Sequence, residues 1–345
     1  MKAIAALLLL TSVAIGAWLA VAVVRRYALR ALVDVPNARS SHAAPTPRGG
    51  GVGIVVANLT GLVTACLLGV ADETLVIALA GGGLLVAVIG FLDDHKHVSP
   101  YLRLMCHVSA AVWLVYWVGR LPPIDFGSEV VDLGVFGVVL VLLSLVWFVN
   151  LFNFMDGIDG IAGAQSIFMT AAGAALAYTS GGGEQAVVPM LLLAAAVSGF
   201  LAWNWPPSRI FLGDVGSGYL GFMIGAIALW SVVEGWLTIW VWVILAGAFL
   251  ADSTVTLIVR ALARASLVEA HRSHAYQRLS RRWNGHASVT LAFTAVNLFW
   301  LGPWAFLAAR FGSLGASFAL VALSPLVVAA IGLGAGRRGE IGEKG

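Results

Sequence analysis

Long apolar stretches alternate with short polar segments along almost the whole chain. Each apolar stretch has roughly 17 to 24 residues, enough at 1.5 Å per residue to cross a hydrocarbon core about 30 Å thick. We therefore predict an all-α polytopic membrane protein with about 10–11 transmembrane helices, built as a single domain over residues 1–345. The predicted spans are 3–24, 51–70, 74–91, 104–119, 133–151, 160–178, 187–205, 216–233, 236–259, 288–309 and 314–335.

The composition agrees with this prediction. Hydrophobic residues make up 60% of the chain and charged residues 11%, whereas about a quarter of a typical soluble domain is charged. Residues 3–24 resemble a signal peptide, but the run is longer than usual and ends at Arg25-Arg26 without a clear cleavage site, which favours a retained first helix. Cys66 and Cys106 lie in apolar stretches, so we expect neither a disulfide framework nor a thiolate metal site.

The basic residues indicate an orientation in the membrane. Of the 20 Lys and Arg residues, only Lys2, Arg120 and Arg310 fall on one side of the predicted spans. Basic residues collect on the cytoplasmic side, so we predict an outside N-terminus and a cytoplasmic tail at 336–345. The predicted cytoplasmic connections, which would carry the active site, are 25–50, 92–103, 150–163, 204–216 and 260–287.

Two of these connections carry closely spaced acids. The stretch GFLDDHKHVSP places Asp93 beside Asp94 at a helix end, and adjacent carboxylates repel each other unless a divalent cation or a residue such as Lys96 lies nearby. The alternative is a solvated helix terminus.

The stretch NLFNFMDGIDGIAG spaces its polar side chains three residues apart, which makes one ridge on a helix. Helix capping explains one of them but not all, which favours a ligand site built from Asn150, Asn153, Asp156 and Asp159.

A third acid follows a short loop. In WNWPPSRIFLGDVGSGYLGF, Asp214 stands at a glycine-rich helix start, where an oxygen-coordinated Mg²⁺ with a phosphate nearby would fit. The Leu-Gly-Asp tripeptide also invites comparison with intramembrane aspartyl proteases. Their GxGD motif is absent, because Phe211 stands two residues before Gly213.

The longest predicted connection, residues 260–286, contains six arginines and three histidines. His271 and His274 form a His-x-x-His pair, which without a third ligand is weak support for zinc. A basic patch against lipid headgroups would explain most of the arginines. Cations beside a site rich in aspartates instead favour an anionic substrate held next to a metal ion.

The first predicted connection is rich in Gly and Pro. Within residues 34–54, Arg39, His42 and Arg48 are candidate phosphate contacts, and Gly49–Gly51 allow close backbone approach. The alternative is that this segment binds no phosphate and is only a turn that leads into the second span.

In their order, these stretches resemble the polyprenyl-phosphate N-acetylaminosugar-1-phosphate transferases, a group of the glycosyltransferase family 4 type. The shared patterns are DxPxxRxxHxxPxPRGGG, the Asp93-Asp94 pair, NxxNxxDGxDGxAG, FLGDxGS and the histidine-containing last connection, and they run from about Asp34 to Gln277. The segment HRSHAYQR lacks three consecutive histidines, so it looks like the branch that starts O-antigen and other surface glycans rather than the branch that uses a MurNAc-pentapeptide.

The resemblance implies a role for each matching residue. It places Asp93, Asp94 and His274 among the catalytic groups, and Asp214 with Asp94 on Mg²⁺, for which Mn²⁺ can substitute. It places Phe211 near the uracil. The other implied substrate-binding residues are Asn153, Asp156, Asp159, Asn204, Arg272, His271 and Arg48.

The implied reaction transfers an N-acetylaminosugar 1-phosphate from a UDP-sugar to undecaprenyl phosphate and releases UMP. The expected location is the bacterial cytoplasmic (inner) membrane, with membrane lipids as partners and no nucleic acid; a homodimer is compatible with the resemblance. The alternative is an ion-coupled transporter with Asp252 and the loop acids as cation sites. Such acids usually lie near the membrane midplane within repeated halves, whereas these acids lie mostly at one surface and no internal repeat is visible.

Overall fold

The computed structural model of the chain describes residues 2–34, 45–119, 121–127, 129–266 and 271–337. Of the predicted phosphate contacts, Arg39 and His42 lie outside the described residues. Two short antiparallel ladders accompany the helices: β1 (Val33–Asp34) pairs with β2 (Thr46–Pro47), and β3 (Ile124–Asp125) pairs with β4 (Val130–Val131).

The rest of the ordered structure is helical. A π-helical turn at Asn297–Leu301 joins α12 to α13, and a 3₁₀ turn at Gly312–Leu314 precedes α14. The helices are α1 Lys2–Ala31, α2 Gly51–Leu67, α3 Glu73–His95, α4 Pro100–Val118, α5 Gly134–Met155, α6 Ile161–Thr179, α7 Gly183–Asn204, α8 Gly213–Val233, α9 Ile239–Leu245, α10 Gly247–Leu262, α11 Ala275–Trp283, α12 His286–Val296, α13 Gly302–Arg310 and α14 Gly315–Gly332.

The predicted all-α polytopic membrane fold is confirmed. Within the described residues, nine helical segments are long and apolar enough to cross a membrane, and the bent pair α9–α10 raises the number to ten. Helix α2, with 17 residues, is shorter and corresponds to the predicted span 51–70. Each of the eleven predicted spans therefore coincides with helix, while the orientation of the termini stays a prediction.

The predicted span 236–259 is not one straight helix. Helices α9 and α10 meet at Ala246 with a bend of 76°. The bend frees the Leu245 carbonyl, which accepts a hydrogen bond from Gln165 Nε2 at 2.9 Å, and Gln165 in turn accepts from Asn297 Nδ2 at 2.6 Å. Partners on two other helices thus satisfy the break, as a membrane interior requires.

Helix α8 lies at the centre of the bundle and is almost entirely buried. Small residues let its neighbours approach its first turn closely. A Cβ atom on Gly51 would lie 2.2 Å from Gly216 Cα, and one on Gly90 would lie 2.5 Å from the Asp214 carbonyl oxygen. The start of α2 and the end of α3 therefore pack against the start of α8. We call this end of the bundle, where α3, α5 and α7 end and α6 and α8 begin, the site face.

Candidate active site

Five aspartates gather at the site face. They come from the end of α3, the turn between α5 and α6, and the start of α8, which are far apart in the sequence. The structure therefore brings together the three predicted acidic stretches, and the contacts described below show that their carboxylates are in different environments. The five residues are Asp93, Asp94, Asp156, Asp159 and Asp214.

Asp94 holds the first turn of α8. Its Oδ1 accepts from the backbone N–H of Asp214 at 3.0 Å, and its Oδ2 accepts from Val215 N–H at 3.1 Å. Gly213 between the two elements has φ +78°, and a Cβ there would lie 2.6 Å from Asp94 Oδ2. Arg48 donates to the Asp94 carbonyl at 2.8 Å. Both oxygens of this buried carboxylate already accept protein N–H groups, so the geometry makes Asp94 an anchor of α8. Its roles in catalysis and metal binding stay predictions.

Asp93 joins α3 to the start of α4. Its carboxylate accepts from Val98 N–H at 2.8 Å and forms an ion pair with Arg103. It also faces the carboxyl group of Asp214. Arg103 was not singled out from the sequence, because nothing in the chain pattern shows that a residue ten positions later folds back onto Asp93.

Asp214 is oriented by the last turn of α5. Asn153 Nδ2 donates to Asp214 Oδ1 at 2.6 Å and lies 3.3 Å from Ser217 Oγ. The groups that surround Asp214 include the carboxylates of Asp93, Asp94 and Asp156, and carboxylate oxygens are ligands that Mg²⁺ prefers. Within the described part of the chain, no three acidic, histidine or cysteine side chains form a complete metal site. Mg²⁺ commonly binds through one or two carboxylates, with substrate phosphates and water completing the shell.

Of the five aspartates, Asp156 has the fewest hydrogen bonds to described residues. Burial raises its pKa well above the ordinary value, and repulsion from Asp214, Asp159 and Asp94 raises it further. No hydrogen-bond donor from the described ranges reaches its carboxylate. Asp156 is therefore the acid in this cluster that is most available to a cation or ligand.

Asp159 and Asn204 fasten the loops around the cluster. Asp159 accepts from Ser208 N–H at 3.1 Å and Ser208 Oγ at 2.9 Å, and its carboxylate lies 3.2 Å from His286 Nδ1. Burial alone would raise the pKa of Asp159, but the contacts with His286 and Ser208 hold it below the ordinary value. Asn204 Oδ1 accepts from Gly160 N–H, and its Nδ2 donates to the Ile210 carbonyl. These contacts hold the two loops together, and direct substrate binding by either residue stays a prediction.

Phe211 and Arg48 line the approach to α8. The Phe211 N–H donates to the Pro47 carbonyl at 2.8 Å, and its own carbonyl accepts from Gly50 N–H at 2.9 Å. The aromatic side chain is partly exposed, as a base-stacking surface requires. The Arg48 side chain is 39% exposed, so it can reach an anion in the site.

The histidine segment leads into helix α11. The rings of His271 and His274 stack with centroids 5.1 Å apart. Burial lowers the pKa of His271 to about 4, with His274 and Arg260 adding to the effect, so the ring is neutral near pH 7. His271 would therefore contact a substrate as a neutral group, while Arg272, partly buried beside it, carries the positive charge.

Asp252 of α10 lies beneath this segment. Its buried carboxylate accepts from Thr256 Oγ1, His274 Nδ1, Ala275 N and Tyr276 N at 2.8–3.2 Å. Three of these donors bond to Oδ1 and one bonds to Oδ2, so both oxygens already accept hydrogen bonds from the protein. These contacts do not favour the alternative of Asp252 as a transported-cation site. Neither Ser208 nor Tyr276 was identified from the sequence, since each acts through contacts between distant segments.

A multi-pass helical bundle that gathers carboxylates and cations at one face has the architecture of an integral-membrane enzyme that acts on phosphate groups. The model of the family described as Glycosyl transferase family 4 matches residues 76–232. A phospho-N-acetylmuramoyl-pentapeptide-transferase of Geobacillus kaustophilus is 31% identical over 232 residues, which cover 62% of this chain and 68% of that protein. The chain belongs to glycosyl transferase family 4, and it is a membrane phosphotransferase.

Two further relatives have names that specify a sugar. A Bacillus subtilis protein carrying the name undecaprenyl-phosphate N-acetylglucosaminyl 1-phosphate transferase is 27% identical over 263 residues, which cover 74% of this chain and 72% of that protein. A Sulfolobus acidocaldarius protein carrying the name UDP-N-acetylglucosamine–dolichyl-phosphate N-acetylglucosaminephosphotransferase is 29% identical over 188 residues, which cover 52% and 57% of the two chains. The names of the three relatives thus specify two polyprenyl phosphates and two amino sugars.

Proposed function

We propose that this protein transfers an N-acetylaminosugar 1-phosphate from a UDP-sugar to undecaprenyl phosphate and releases UMP. The observation that carries the proposal is the group formed by Asp214, Asn153 and Asp156 at the site face, with Arg48 nearby. The names of the relatives support the same general reaction.

The residues of this group fit Mg²⁺. Asp156 and Asp214 repel each other, and Asp156 has no protein donor among the described residues to offset its charge. We propose that Asp214 and Asp156 hold the ion, with Asn153 fixing the Asp214 carboxylate. When bound, Mg²⁺ neutralises phosphate charge and polarises the reacting phosphoryl group.

The side chains of the protein would position and neutralise the two phosphate-bearing reactants. An oxygen of the lipid phosphate attacks the β-phosphorus of the UDP-sugar; a new P–O bond forms, the bond to the bridging oxygen breaks, and UMP leaves with that oxygen. Chemistry of this kind depends mainly on alignment and charge stabilisation. Arg48 and Arg272 would contact the phosphates, and Phe211 would lie against the uracil.

An apolar groove offers space for the polyprenyl chain. It has a volume of about 980 Å³ and follows α5 from Leu133 to Phe148, five residues before Asn153. The second half of α8, helix α9, the β3 segment and Ser180 form the other walls, so the groove opens toward the face opposite the site face. A lipid whose phosphate lies beside the acidic cluster could extend its chain past Phe148 into this groove.

The location and pathway are part of the proposal. A multi-pass chain with its site at one face suits a reaction between a water-soluble nucleotide sugar and a membrane-bound phosphate. We propose a site that faces the cytoplasm at the inner membrane, and an initiating step of O-antigen or other cell-envelope polysaccharide synthesis. The segment HRSHAYQR supports this branch.

The test uses purified protein in detergent with undecaprenyl phosphate, Mg²⁺ and a panel of UDP-linked GlcNAc, GalNAc, FucNAc and QuiNAc. We expect UMP release with at least one of the four sugars, and a product in which the sugar is joined to the lipid through a diphosphate. UMP release must depend on the lipid phosphate, which excludes simple hydrolysis. Absence of lipid-dependent UMP release with the whole panel would contradict the proposed reaction.

A further inference from the structure

The proposed reaction does not use Asp252, yet this residue is among the most strongly hydrogen-bonded groups of the protein. It is 3% exposed and lies in α10, a membrane helix. An ionised carboxylate in such a place is costly unless donors surround it. Asp252 accepts from two side chains and from two successive backbone N–H groups at the start of α11.

The contact with His274 has a direction. His274 Nδ1 lies 3.2 Å from Asp252 Oδ1. An ionised carboxylate only accepts hydrogen bonds, so the proton of this contact must be on Nδ1. His274 is 2% exposed, and its side chain also faces the backbone N–H of Gln277 in a capping box at the start of α11. Because Nδ1 faces Asp252, Nε2 is the nitrogen that a substrate phosphate would have to reach.

The ring is also held from its two sides. His274 stacks on His271, and on its other neighbour Phe154 with ring centroids 6.2 Å apart. Tyr276 Oη donates to the Phe154 carbonyl at 2.9 Å, two residues before Asp156. The start of α11, fixed by Asp252, is thereby tied to the same turn that carries the acidic cluster.

We propose that Asp252 is a positioning residue that holds His274 with Nδ1 protonated and Nε2 directed to a phosphate group of the substrate. This inference rests on the proposed function. With both nitrogens protonated, Nε2–H donates to a phosphate oxygen; with a neutral ring, Nε2 is an acceptor. In either state, Asp252 determines which nitrogen meets the substrate.

A purely structural role would consist of capping α11. Asn caps helices about as well as Asp, so Asp252→Asn keeps the shape and one acceptor oxygen for the backbone N–H groups, which bond to different carboxylate oxygens, and it removes the charge that fixes the imidazole. Thr256→Val is the matched control, because it removes another buried donor to the same carboxylate oxygen without touching His274.

The first experiment is a double-mutant cycle for lipid-dependent UMP release. We expect Asp252→Asn to lower kcat by about 10- to 100-fold, His274→Ala to lower it by a similar factor, and the double variant to be within about twofold of His274→Ala alone. Thr256→Val should stay within about twofold of wild type. The inference would be overturned if Asp252→Asn kept the wild-type kcat. It would also be overturned if the fold-loss in kcat of the double variant equalled the product of the two single-variant losses.

The second experiment needs no turnover. The ¹⁵N spectrum of histidine-labelled protein in detergent, with the His274 signals identified by their loss in His274→Ala, reports which ring nitrogen carries the proton. We expect protonated Nδ1 in the wild type and a changed spectrum in Asp252→Asn. A neutral His274 protonated on Nε2 would overturn the inference even in an active enzyme, whereas an inactive wild type with protonated Nδ1 would contradict only the proposed reaction.

Discussion

Asn153 Nδ2 lies 2.6 Å from Asp214 Oδ1, and this hydrogen bond joins the last turn of α5 to the first turn of α8. A hydrogen bond to a charged group contributes about 1.5–3 kcal/mol. Because the same bond orients the carboxylate proposed to hold Mg²⁺, we expect Asn153→Ala to lower the rate by about 10- to 100-fold and to raise the Mg²⁺ concentration for half-maximal rate.

Asn150, which the sequence pattern places on the same polar ridge, provides the matched control: it lies one turn earlier on α5, and within the described residues its amide donates to the carbonyl of Val146 rather than to the acidic cluster. Asn150→Ala should leave both kinetic quantities within about twofold. Equal effects of the two substitutions would show that loss of an amide anywhere on this turn, and not the bond to Asp214, is responsible.

Because neighbouring carboxylates repel Asp156, we predict that Asp156→Asn raises the stability of the protein and lowers its activity. The pKa of Asp156 is raised in the folded protein, so folding favours its protonated form. The free energy of unfolding therefore decreases as the pH rises from the unfolded pKa through the folded pKa. Asp156→Asn resembles the protonated state. In EDTA near neutral pH, this variant should melt about 2 °C or more above wild type, while its transferase rate with Mg²⁺ falls.

The difference in melting temperature should disappear as the pH is lowered below the ordinary pKa of aspartate. Asp159→Asn is the comparison with the opposite sign. The pKa of the Asp159 carboxylate is lowered in the folded protein, so the ionised group stabilises the fold above the unfolded pKa. This stabilisation is lost as the pH falls through the folded pKa. Asp159→Asn should therefore melt below wild type at neutral pH. A destabilised Asp156→Asn variant would contradict the predicted repulsion.

Arg272 is expected to contact a substrate phosphate. Arg272→Ala should raise the KM for the UDP-sugar or the lipid phosphate and lower kcat/KM by about 10- to 100-fold, the effect of one lost charge-assisted contact. Arg282, which is exposed on α11, is the control for general loss of positive charge. If Arg272→Ala and Arg282→Ala have the same small effect, the arginines of this segment serve the membrane surface instead.

The orientation can be tested with a pair of exposed serines. Ser288 lies near the start of α12 at the site face, and Ser180 lies at the end of α6 on the opposite face. In a background with Cys66 and Cys106 replaced, Ser180→Cys should react with an impermeant thiol reagent in intact cells. Ser288→Cys should react only after the membrane is opened. The reverse pattern would place the site face outside the cell.

The helices were predictable from the sequence because the length of an apolar run determines whether a helix can cross a membrane. The acidic stretches were recognisable because Asp93-Asp94, Asp156 and Asp214 stand at the ends of those runs, where a carboxylate is least costly. Their separate environments were not predictable. Asp94 caps α8 from 120 residues away, and only the packed structure shows that its oxygens accept hydrogen bonds while those of Asp156 accept none from the described residues.

The same limit applies to the bend and to Asp252. Gly247 beside Ala246 is a weak signal for a kink, but a bend of 76° also depends on Gln165 of another helix, which satisfies the freed carbonyl. Asp252 looked like an isolated membrane acid, since its four donors come from a neighbouring turn and from a segment more than twenty residues later. Contacts of this kind depend on tertiary structure and have no local pattern.

The most direct test of the central claim measures the transferase rate of Asp214→Asn against Mg²⁺ concentration. Asn keeps the shape and one acceptor oxygen but removes the charge, and Asp125→Asn in the β3–β4 hairpin is the control, because Asp125 accepts from Gly127 N–H at the opposite face. We predict at least a ~10²-fold lower rate for Asp214→Asn, with an unchanged elution profile in detergent and a wild-type rate for Asp125→Asn. A wild-type rate and Mg²⁺ half-saturation in Asp214→Asn would contradict the assignment of Asp214 to the metal.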